Sequence, residues 1–136
     1  MYKSILTPAY FEYSHAEIAG MVTNTIQTPQ INISNDSDFD FFEMRAIINA
    51  PAVLTGGVFV QLSLASGELF SNVPIDVKSF ATIEGIATNA ISGYPKRMPN
   101  TTSIPANSSI NVQVNNQSGQ TIDFQLQLIG YKVEKV

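Results

Sequence analysis

Apolar and polar residues alternate with a period of two along much of the chain. In GVFVQLSLA, Val58, Val60, Leu62 and Leu64 fall on one side, and Phe59, Gln61 and Ser63 on the other. SINVQVNN sets Ile110, Val112 and Val114 against Asn111, Gln113 and Asn115. TIDFQLQLIGYKV sets Ile122, Phe124, Leu126 and Leu128 against Asp123, Gln125 and Gln127. Successive side chains of a strand point to opposite faces, so each segment predicts a half-buried strand. IQTPQINIS (Ile26 to Ser34) predicts another, with Pro29 marking an edge or strand start because it lacks an N–H. FDFFEMRAII places Phe42, Met44, Ala46 and Ile48 on one face. The opposite face takes Phe39 and Phe41, then Glu43 and Arg45.

Turn chemistry separates these runs. Asn49-Ala50-Pro51 ends one strand and Thr55-Gly56-Gly57 leads into the next. Ala65-Ser66-Gly67-Glu68 predicts a tight turn, and LFSNVPIDV a short irregular strand interrupted at Pro74. FATIEGIATN alternates poorly and fits strand or loop. Ser92 to Pro105 holds three of the seven prolines and predicts a long, partly polyproline connection. Asn116 to Gln120 predicts a hairpin loop with Gly119 at positive φ. Ser14-His15-Ala16-Glu17 has capping-box spacing, giving either a short helix before Gly20 or an extended arm.

Seven or eight short strands separated by Gly, Pro and Asn turns predict an all-β protein, an antiparallel β-sandwich. A jelly-roll-like order follows if the proline-rich segment crosses between sheets, and a small closed barrel is the alternative. Residues 1–25 are expected to form an N-terminal arm or short helix, and residues 26–136 the sandwich.

Composition narrows the job. A chain of 136 residues suits one domain that buries roughly two thirds of its unfolded surface. Charged residues make up 13%, about half the usual share. Asn, Gln, Ser and Thr carry the polarity instead, which suits a surface that ends up packed against other proteins. The net charge is -4, and Lys96-Arg97 is the only adjacent basic pair, so no nucleic-acid footprint is expected. Cysteine is absent, which removes disulfides, thiolate metal sites and cysteine nucleophiles. The N-terminal residues lack the apolar core of a signal peptide, and no run approaches a membrane span.

Candidate chemistry is sparse. Asp36, Asp38 and Asp40 have a metal-loop look, yet an EF-hand pattern needs Gly and a carboxylate where Phe41 and Ile47 stand. They read instead as an Asx-type turn opening a strand. His15, the one histidine, has no nucleophile motif near it in the sequence. Glu43, Glu68, Glu84 and Asp123 are scattered over different elements and bracket no pocket. No catalytic residue, metal or cofactor is expected. Aromatic and basic side chains outside the alternation are the candidate partner contacts: Tyr10, Phe11 and Tyr13 in the arm, and Tyr94, Lys96 and Arg97 in the proline-rich segment.

ISNDSDFDFFEMRAII, taken with PNTTSIPANSSINVQVNNQSGQTIDFQLQLIGYKVEKV, resembles small β-sandwich structural proteins of double-stranded DNA bacteriophages. The resemblance spans Gln30 to Val133 and rests on three features. These are the entry at Asp36, Asp38 and Phe39; the Ile104-Pro105 and Ser108 to Ile110 entry after the proline-rich stretch; and Gly130-Tyr131-Lys132 in the last strand. It implies a non-enzymatic, capsid-associated component of the virion: cement, decoration, vertex or head-fibre-base protein. Such a protein is made in the host cytoplasm, contacts the major capsid protein or other virion proteins, and forms homo-oligomers. The alternative kept beside it is a glycan- or host-surface-binding module using Tyr94 to Asn100.

Overall fold

The computed structural model describes residues 4–6, 11–14, 18–85 and 93–135. Its strands are β1 (Ser4–Leu6), β2 (Phe11–Ser14), β3 (Ile18–Met21), β4 (Thr25–Gln27), β5 (Gln30–Asn32) and β6 (Asp38–Asn49). They continue with β7 (Val58–Leu64), β8 (Ile75–Asp76), β9 (Thr82–Glu84), β10 (Lys96–Ile104), β11 (Ser109–Asn116) and β12 (Ile122–Lys135). The first sheet runs in the order β1, β12, β6, β10, with β2 and β3 also on β12 and β9 also on β6. The second runs β4, β11, β7, β8, with β5 also on β11. Among the described residues all strand pairings are antiparallel except the short β6–β9 ladder. The two sheets pack into a sandwich.

The alternation is realised where it is regular. Val58, Val60, Leu62, Ile110, Val112 and Val114 from the second sheet meet Phe124, Leu126 and Leu128 from the first, all 5% exposed or less. Removing each such side chain from water contributes roughly 1.5–3 kcal/mol, which is why the strands hold these faces together.

In β6 the alternation changes phase. Glu43 pairs with Ile129 and Phe41 with Gly130, so Phe42 is an extra residue with no opposite number. This is a β-bulge. It moves inward-facing positions from odd to even numbers: Phe39 and Phe41, then Met44, Ala46 and Ile48, are all buried. The sequence pattern had put Phe39 and Phe41 opposite Met44, and Phe42 with it. The structure reverses that assignment, because an unbroken period of two would leave two phenylalanines in water. Phe41 stacks on Phe39 with centroids 6.4 Å apart and meets Phe70 edge-on at 5.9 Å.

Other expectations are corrected. Ser92 to Pro105 is not mainly a connection: β10 pairs with β6, with its own register shift between Arg97 and Thr102 around Pro99. Asn116 to Gln120 is not a hairpin loop, because β11 and β12 belong to different sheets. It is a corner, with Gly119 at φ 82°. The buried Asn116 amide holds it, donating to the Met21 and Gln120 carbonyls at 2.9 Å and accepting from the Ser118 amide at 3.0 Å. Of the segment read as a short helix or an extended arm, Ser14 ends β2 and Ile18–Met21 is a strand, while residues 15–17 lie outside the described ones. Pro29 sits between β4 and β5 at a sheet edge, as expected.

The N-terminal segment is laid along β12. β1, β2 and β3 take successive stretches of its free edge, and Ile18 and Met21 belong to the core. Deleting residues 1–25 would therefore remove core side chains and uncover the longest strand.

Gly130 makes room for the bulge. A Cβ there would lie 2.1 Å from the Asp40 carbonyl oxygen and 2.6 Å from the Phe41 Cα. Gly130→Ala is expected to destabilise the chain by about 1–3 kcal/mol or more in urea unfolding, since backbone has to shift. An unchanged midpoint would show that β6 does not approach Gly130 in this way.

Candidate functional site

The bulge turns Phe42 out of the core, and a cluster forms around it on the outer face of the first sheet. The Phe42 and Tyr131 rings lie 5.3 Å apart, and the Arg97 guanidinium sits 5.6 Å from the Phe42 centroid. A cation over an aromatic face is held by the ring quadrupole, worth about 0.5–1 kcal/mol where water has access. Lys96 and Arg97 are exposed at the start of β10, opposite Met44 and Glu43. Tyr94, just before them, is 85% exposed.

Pairing unites residues far apart in sequence. Glu12, Ile129, Glu43 and Arg97 are successive Cα partners across β2, β12, β6 and β10. Phe11 and Tyr13 flank Glu12 on β2, with backbones opposite Gly130 and Leu128. The backbones of β2 and of the start of β10 thus reach one strip of one sheet, but Phe11 and Tyr13 pair with the core-side positions Gly130 and Leu128, so the pairing does not place them with Arg97. Tyr10 lies outside the described residues, as does His15. Phe42 and Tyr131, which gather with Arg97, were missed from sequence. The Phe41-Phe42 doublet, two adjacent aromatics in an alternating strand, was the available sign of a bulge.

The aspartates are engaged in holding corners. Asp38 accepts the Ala106 amide at 2.8 Å, tying the entry of β6 to the turn before β11. Asp36 accepts from the Ser34 hydroxyl and, at 3.3 Å, from the Ser37 hydroxyl, with Lys132 Nζ at 3.8 Å. Among the described residues no three His, Cys, Asp or Glu side chains are grouped to hold a metal. Between the sheets, Met44, Val60, Phe70 and Met98 border an apolar crevice of about 20 Å³, little more than a water molecule's room. No described helix is long and apolar enough to cross a membrane.

Comparison of the chain with protein-family models, curated proteins and solved structures finds no match in any of the three. The surface itself therefore carries the functional argument.

The Ser34 hydroxyl holds the Asp36 carboxyl below its ordinary value of 3.8; removal from water opposes this, and Lys132 reinforces it. A carboxyl depressed on folding contributes stability above its unfolded pKa and loses it as pH falls through the folded one. Asp36→Asn should thus lower Tm slightly at neutral pH, with the gap to the parent closing below pH 3.8. A gap independent of pH would contradict this role for Asp36.

Proposed function

We propose that the chain is a non-enzymatic structural component of a bacteriophage virion, acting through protein–protein contacts with the major capsid protein or other virion proteins. The supporting observation is the strand order. With collinear short strands counted together, one sheet reads β1/β2/β3, β12, β6, β10 and the other β4/β5, β11, β7, β8. Every connection between these eight positions changes sheet except β7 to β8. That order supports a jelly-roll reading, an architecture used by viral capsid domains. One architecture hosts many jobs, so the surface must supply the rest. The strip around Phe42, Tyr131 and Arg97 suits a contact site, since aromatic and arginine side chains dominate interface energetics.

Jelly rolls also serve as lectin domains, and the 85% exposure of Tyr94 beside Lys96 and Arg97 favours, as a second reading, a glycan- or host-surface-binding module.

Mass spectrometry of purified particles from an infection that expresses the chain is expected to find it at a fixed copy number. Arg97→Glu should lower that number several-fold while the isolated variant keeps its melting curve. Recovery only outside particles would overturn the proposal. Capture on a glycan array, abolished by Tyr94→Ala, would favour the second reading in its place.

A further inference from the structure

The two sheets differ sharply in charge. β4, β5, β7 and β11 contain no Asp, Glu, Lys or Arg at all. Asp76, in β8, is occupied with the Val58 and Lys78 amides at 3.3 and 3.0 Å. By contrast β6 carries Asp38, Asp40, Glu43 and Arg45, and β10 carries Lys96 and Arg97. The outer face of the second sheet is mostly amides and hydroxyls, with the half-buried Phe59 between Asn115 and Asp76 at one end. Across it, Gln113 pairs with Gln61, Asn111 with Ser63 and Gln30, and Ser109 with Asn32. Lateral bonds order this lattice: Gln30 Nε2 donates to Asn111 Oδ1, and Ser109 Oγ to Asn32 Oδ1, both at 2.8 Å. Two exposed apolar residues mark opposite corners, Ile26 opposite Asn115 and Leu69 bridged to Ser63, at 58% and 54% exposure.

We infer that this face binds a second copy of the chain, sheet against sheet about a two-fold axis. Three features select that occupant. First, each copy carries a net charge of -4, so association is least opposed where the charges stay far apart. Sheets stack about 10 Å apart, so facing neutral sheets hold the two charged sheets about 30 Å from each other, several Debye lengths at physiological salt. Second, amides donate and accept together, so an amide lattice is complementary to itself, as a two-fold interface requires. Third, Ile26 and Leu69 stand on one diagonal. A two-fold axis along the other diagonal sets Ile26 of one copy on Leu69 of the other.

Size fixes the strength. The strands of this sheet, three residues in each of β4 and β5, eight in β11, seven in β7 and two in β8, at about 3.4 Å by 4.8 Å per residue present about 400 Å² per copy. About 800 Å² in total lies below the usual range for stable specific contacts, so the dimer is weak and reversible. This assignment rests on the face alone and stands apart from the virion reading.

Sedimentation velocity of the purified full chain over a micromolar concentration series tests it. The sedimentation coefficient should rise with concentration towards that of a dimer. Gln113→Glu, at an exposed position near the axis, should weaken association about tenfold or more, because like charges meet across it. Arg45→Gln makes the same change in net charge on the other sheet and should leave association intact. Circular dichroism of both variants checks the fold. A chain monomeric throughout, a Gln113→Glu chain that still dimerises, or equal loss in both variants would overturn the inference.

Discussion

The β12–β6 ladder is the spine of the molecule, and one added residue in it sets what the rest can do. Burial demands that inward side chains of β6 share a face, while its sequence has Phe39 and Phe41 on odd positions and Met44, Ala46 and Ile48 on even ones. Phe42 reconciles them by standing outside the ladder. Gly130 on the partner strand removes the side chain that would collide with the displaced backbone. Pushed outward, Phe42 becomes the platform on which Tyr131 and Arg97 gather. Core packing and the candidate contact site thus follow from the same local event.

What was legible in the sequence was whatever a period of two determines by itself. β7, β11 and β12 as far as Leu128 were readable because each alternates without interruption there and buries one face. The phase of β6 was not, since a bulge depends on the partner strand, which no local window contains. β10 was hidden for a related reason. Pro99 within it argues against a central strand, yet an edge strand needs hydrogen bonds on one side only, and the register shift around Pro99 accommodates the missing donor. The contact strip was half visible: Lys96 and Arg97 stood out as the adjacent cations, while their meeting with Phe42 and Tyr131 required the sheet order.

The edges and faces of the sandwich carry different duties. β4 and β5 break at Thr28-Pro29, β8 is two residues long after Pro74, and β10 is bulged at Pro99. The far edge of the first sheet is built from three short pieces rather than one strand. Interrupted edges of this kind discourage uncontrolled strand addition. The contacts proposed above fall instead on the broad faces, one aromatic and charged, the other largely neutral and amide-rich.

The absence of native cysteine makes the central claim directly measurable. Single cysteines placed in turn at Phe39, Phe41, Phe42, Met44 and Arg45 can be scored for reaction with a thiol reagent under native conditions. The bulge predicts slow labelling at 39, 41 and 44 and fast labelling at 42 and 45. Labelling that alternates strictly through the segment, with 41 reactive and 42 protected, would contradict it.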